Sequence, residues 1–197
     1  MRLKLVVGPL VAFTLLSLCL ARSEHRLSVP PASEVERVES DADPLLSSLS
    51  GYKKWTLVNP VPQQMEPLAA IDCVAIIGRT EGSPHLHKYV SVYVNETGRA
   101  AMMTQRSPSF PPGSMIVKEK LNSKSSQTPE LLTAMIKHEK GYNQGSGDWE
   151  YAVLDGAASE IKERGKLASC QDCHSKYKHS DFVTRTYLPP EVSRKLE

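Results

Sequence analysis

The sequence predicts an α+β fold, mainly an antiparallel β-sheet with short helices. Three observations support this. Apolar and polar residues alternate with a period of two in several stretches, as on strands with one buried face. The links between these stretches are short and rich in Gly, Pro and Ser, which suits antiparallel neighbours better than crossover connections. The tail from residue 157 onward reads as more helical, and no internal repeat appears.

Taken in order, the chain opens Met1-Arg2-Leu3-Lys4, runs apolar to Leu20 and reaches a small residue at Ala21. That pattern predicts an export signal over 1–21, cleaved after Ala21. The apolar run is short for a bilayer span of about 20 residues. An uncleaved N-terminal anchor is the alternative, and a lipid on Cys19 a lesser one, because Leu18 before it is bulky. Residues 22–50 are polar, contain Pro30-Pro31 and no aromatic, and read as a flexible linker. A short helix at 33–39, capped by Ser33, is its one regular element.

The folded domain is expected over 51–197. Residues 52–58, with Trp55, open it as a strand or short helix. Residues 71–77 are β-branched and end at Gly78, an inner strand in which Cys73 is a buried thiol. Over 85–95, His85, His87, Tyr89, Ser91 and Tyr93 share one face, while Lys88, Val90, Val92 and Val94 share the other. Residues 97–103 form a short helix, and Pro108-Ser109-Phe110-Pro111-Pro112-Gly113 a rigid turn. Strands follow at 115–121, 131–138 and 149–154. The glycine-rich loop 141–147 is no phosphate loop, because Asp148-Trp149 follow it where Lys and Ser or Thr are required.

Apolar residues make up 40% of the 197 and charged residues 23%, which excludes a multi-pass membrane protein, a coiled coil or a collagen-like rod. Loss of Arg2 and Lys4 with the signal leaves 22 basic against 22 acidic residues, so nothing electrostatic favours nucleic acid.

The informative stretch is Cys170-Gln171-Asp172-Cys173-His174. Two thiols three residues apart with a histidine next to the second read as a c-type haem attachment site. Cys170 and Cys173 form thioethers to the haem vinyl groups, and His174 ligates the iron from the proximal side. The cofactor is one haem c per chain. A zinc site needs a second pair of ligands at suitable spacing, and only His179 is close. A thioredoxin-like dithiol needs a βαβ setting that the strand-rich sequence upstream does not offer. Only 23 residues follow His174, with one histidine and no methionine, so a distal group must come from the body of the domain.

From residue 85 onward, the stretches His87-Lys-Tyr-Val-Ser-Val-Tyr-Val-Asn95, Phe110-Pro-Pro-Gly-Ser-Met-Ile-Val-Lys-Glu-Lys120 and Met135-Ile-Lys-His-Glu-Lys-Gly-Tyr142 resemble the cytochrome P460 family. Gly147-Asp-Trp-Glu-Tyr151 and the haem motif leading into Asp181-Phe-Val183 follow in the family's order. The resemblance implies a periplasmic, mainly β-sheet c-type haem protein that forms a homodimer, related to the β-type cytochromes c′. Members with the P460 chromophore carry a lysine cross-linked to the haem and oxidise hydroxylamine. That lysine is expected just ahead of the Phe-Pro turn, where this chain has Met102-Met103-Thr104-Gln105-Arg106. The distal carboxylate is expected where Thr133-Ala134-Met135 stand. The fold and haem therefore carry over by resemblance, and the cross-link and hydroxylamine oxidation do not, unless Lys118 or Lys137 supplies the amine.

Arg106 is a candidate distal residue that would stabilise a bound oxygen, nitric oxide or peroxide species, against a solvated loop arginine. Phe110 is a candidate distal wall, against a packed turn aromatic. Met102, Met103, Met115 and Met135 are candidate sixth ligands, against core filling. His85, His87 and His138 are weaker distal candidates. Lys118-Glu119-Lys120 is expected to be a salt-bridged strand surface, and Trp149 and Tyr151 core or dimer-contact residues. Asp181 and Tyr187 are expected to help close the haem pocket. Asn95-Glu96-Thr97 matches a glycosylation acceptor, which haem attachment in an exported protein makes irrelevant.

The function this supports is an exported mono-haem cytochrome acting in electron transfer with small donor or acceptor proteins, with a possible small ligand such as nitric oxide or peroxide at the iron. The alternatives are a hydroxylamine-oxidising relative of cytochrome P460 and a gas-binding sensor module.

Overall fold

The period-two stretches fold as strands, and their order in the sheet nearly follows their order in the chain. The computed structural model describes residues 43–65 and 88–197, all within the compact unit Asp41–Glu197. The export signal, most of the linker with its 33–39 helix, the 71–77 strand with Cys73, and His85 and His87 lie outside the described residues.

Among the described residues, seven strands form one sheet: β1 (Thr56–Leu57), β2 (Gln63–Gln64), β3 (Tyr89–Val94), β4 (Met115–Leu121), β5 (Leu131–Lys137), β6 (Trp149–Asp155) and β7 (Ile161–Gly165). The sheet order is β1-β3-β4-β5-β6-β7, with β2 also paired to β3. Every pairing is antiparallel. Because side chains alternate along a strand, register decides which residues meet. Val94, Ile116, Met135 and Tyr151 form one row across β3 to β6. Val92, Lys118, Thr133 and Val153 form the next row on that same face.

Both faces of the sheet are covered. The first carries a core of Val90, Val92, Val94, Ile116, Met135 and Trp149, packed against Met102, Phe110 and the C-terminal segment. The second carries Val117, Leu132, Ala134, Ile136, Ala152 and Leu154. Helix α1 (Pro44–Leu49) covers this second face with Leu45 and Leu49. Its start follows from sequence: the Asp43 side chain accepts the Leu45 N–H at 2.8 Å, and Pro44 needs no N–H partner. The linker expected over 22–50 therefore ends in packed structure, and the domain starts earlier than residue 51. The i, i+4 pair Leu45 and Leu49 was the available signal.

Helix α2 (Glu96–Met103) is capped by Asn95, whose Oδ1 accepts from Gly98 N–H and Met115 N–H, both at 3.0 Å. A Cβ on Gly98 would lie 2.9 Å from Val94 Cγ2, so glycine lets α2 sit close to β3. The stretch 52–58 yields both expected outcomes, a 3-10 turn at Tyr52–Lys54 and then β1. Residues 161–165 correct the sequence reading: within the tail expected to be helical they form β7. Lys162, Glu163 and Arg164 are exposed there, since an edge strand carries charge instead of the apolar alternation that marks inner strands. Helix α3 (Ala168–His174), a 3-10 segment (Ser175–Ser180) and α4 (Pro190–Leu196) complete the chain.

Candidate haem site

Helix α3 carries Cys170, Cys173 and His174. Positions 170, 173 and 174 are related by i, i+3 and i+4, so their side chains share one face of the helix. Cys170, Cys173 and His174 all line a cavity between α3 and the first face of the sheet. Its empty volume is about 1180 Å³, open mouth included. Val92, Ile116, Lys118, Lys120, Thr133 and Met135 form the sheet-side lining, and Tyr177, Val183 and Tyr187 come from the C-terminal segment.

His174 is oriented for ligation. Its Nδ1 lies 2.7 Å from the Phe182 carbonyl oxygen. A carbonyl can only accept, so Nδ1 carries the proton and Nε2 keeps its lone pair. Burial, reinforced by Lys118, lowers its pKa to about 4 against the opposing pull of the Phe182 carbonyl. The imidazole is neutral at ordinary pH, as a metal ligand must be. Burial also pushes the Cys170 thiol up to about 11. A redox dithiol needs the opposite shift, and no disulfide joins Cys170 to Cys173.

These residues fit a haem: two thiols one helical turn apart for the ring edge, one imidazole with a fixed tautomer, and an adjoining cavity. Among the described residues no three His, Cys, Asp or Glu side chains converge on a point as a zinc centre requires.

The rest of the lining differs from expectation. The salt-bridged strand surface expected for Lys118 and Lys120 is not an outer surface; both face the cavity, and Lys120 is 1% exposed. Lys118 Nζ lies 5.0 Å from the Tyr187 ring centroid, and Lys120 Nζ 3.6 Å from Met65 Sδ. Glu119 points to the opposite core, where Tyr52 Oη donates to it at 2.7 Å and Lys53 Nζ lies at 3.3 Å. The alternation was read correctly, but β4 is a central strand covered on both faces, and no pattern within β4 itself reveals that. Among the described residues no Asp or Glu lines the cavity. Thr133, at the position where a distal carboxylate was expected, lies opposite Lys118 in the sheet register.

Arg106 is exposed, and Phe110 is buried edge-to-face against Trp149 with ring centroids 5.4 Å apart. Neither lines the cavity. Of the candidate methionines only Met135 does; Met65, which sequence reasoning missed, does as well. His138 turns instead to Glu150, with Nε2 2.7 Å from Oε2. Trp149 and Tyr151 are core residues of this chain, 0% and 2% exposed.

Comparison with known families agrees with this geometry. The family model for cytochrome P460 matches residues 49–185, which include Cys170, Cys173 and His174. The chain belongs to the cytochrome P460 family, whose members bind haem c, and it has that family's α+β fold. Membership supports a haem-binding electron-transfer role. No curated protein matches the chain.

Proposed function

We propose that this cytochrome P460 family member is an exported mono-haem c-type cytochrome that works in electron transfer. Cys170 and Cys173 hold one haem c through thioethers, and His174 Nε2 is the proximal ligand. The observation that carries this is the shared face of α3: all three side chains line one cavity, and the Phe182 carbonyl fixes the histidine tautomer. Haem c supplies a one-electron redox centre when bound there. Lys118 and Lys120 place positive charge beside it, which favours the electron-rich state. Thr133 and the apolar Val92 and Ile116 make a wall suited to a small ligand such as nitric oxide or peroxide.

Export by the 1–21 segment, with cleavage or retention as an anchor, belongs to the same proposal. So do a homodimeric state and small donor or acceptor proteins as partners. Among the described residues no helix is long and apolar enough to cross a membrane. Expression with periplasmic haem maturation tests the reading. The purified chain should keep its haem after denaturation, and the Cys170→Ser, Cys173→Ser double variant should lose it. A wild-type protein without covalent haem sinks the proposal.

A second reading, a P460-type oxidoreductase with a lysine–haem cross-link, is favoured by one observation: Lys118 lines the cavity. A strongly red-shifted Soret band in the reduced protein, lost in Lys118→Met, supports the cross-link. An ordinary c-type spectrum excludes it.

A further inference from the structure

The Phe182 carbonyl that accepts from His174 belongs to a strained turn. Asp181 and Phe182 have φ of 54° and 63°, a region that is costly for residues with a Cβ. Such a turn persists only when its surroundings hold it; besides the bond from the Phe182 N–H to the Tyr177 carbonyl at 2.8 Å, the hold comes from residues outside the cavity. Lys137 Nζ donates to both Asp181 carboxylate oxygens, at 2.7 and 2.8 Å. The Phe110 N–H donates to the same carboxylate at 2.8 Å. The Trp149 indole N–H donates to the Asp181 carbonyl at 2.8 Å. Lys137 and Trp149 are register partners at the end of the β5–β6 ladder, so the turn is fastened to the sheet there. Neither they nor Asp181 line the cavity.

We propose that the Lys137–Asp181 ion pair is a positioning device for the proximal histidine. It locks the 181–182 turn so that the Phe182 carbonyl keeps its hydrogen bond to His174 Nδ1, and thereby sets how strongly Nε2 donates to the iron. This rests on the reading of His174 as proximal ligand. A held Nδ1–H makes the imidazole a stronger donor, which favours the oxidised iron. Loosening the turn raises the midpoint potential.

The test is the midpoint potential of haem-loaded Asp181→Asn and Lys137→Met. Asparagine tolerates positive φ, so the first removes the charge without forbidding the turn. Positioning requires both variants to shift the potential upward, with Lys137→Arg staying near wild type. A through-space charge effect alone shifts them in opposite directions, because one removes a negative and the other a positive charge. Opposite shifts or unchanged potentials overturn the proposal. So does failure of both variants to fold and load haem, which makes the pair a purely structural clamp. The ligand reading is checked separately: an absorption spectrum unaltered by His174→Ala refutes that reading, whatever the potentials show.

Discussion

Burial drives the Cys170 thiol and the His174 imidazole to their neutral forms, and a neutral imidazole is the form a metal ligand needs. Their roles can be separated. His174→Ala should retain haem through the two thioethers yet lose proximal ligation, seen as haem that stays with the denatured chain but has an altered spectrum. Gly147 is a second residue under local constraint. Its φ is +63°, and an added Cβ would lie 2.5 Å from the Phe182 ring. Gly147→Ala should cost about 1–3 kcal/mol in urea denaturation. Gly145→Ala, with nothing within 4 Å, should change little. Equal effects would mean that the Phe182 contact is unimportant.

Helix α1 shows how a single element shifts a domain boundary. Leu49 is 0% exposed against the second core, so Leu49→Ala should destabilise the domain by about 2–5 kcal/mol. A neutral result would return this segment to the linker. α1 escaped the sequence reading because six residues are too few to show a period, and its apolar pair sits in a Ser-rich run. β7 escaped for the opposite reason: its edge position is filled with charge. The long strands β4, β5 and β6 were legible because each is seven residues long, mostly apolar and bounded by loops of turn-forming residues.

Across the whole molecule, a charged chain ties α1 to the sheet. Arg164 donates to Asp43 at 3.0 Å and to Glu150 at 2.7 Å, and Glu150 also meets His138. Burial pushes the Glu150 carboxyl up, but hydrogen bonds from Arg164 and His138 outweigh it and hold the pKa below its ordinary value of 4.5. A carboxylate lowered by folding gives stability that is present above its unfolded pKa and lost as pH falls through the folded one. The urea midpoint of the apoprotein should therefore drop as pH falls below about 4.5, and Glu150→Gln should flatten that drop. An identical acid profile in the variant would exclude Glu150 as the cause.

The sequence by itself determined the long inner strands and their antiparallel pairing, and it singled out the motif residues Cys170, Cys173 and His174 on which the proposed haem attachment rests. Period-two alternation and the spacing of the haem motif are local properties, readable along the chain. Only the tertiary structure decided what surrounds the histidine. Arg106 and Phe110, beside and within the 108–113 turn, stay out of the cavity, while Lys118, Lys120, Thr133 and Met65 line it. The hold on His174 also comes from afar, since Lys137 and Asp181 are 44 residues apart. Which face of a covered sheet meets the cavity depends on register and on what packs above it, and those contacts join residues that no local pattern relates.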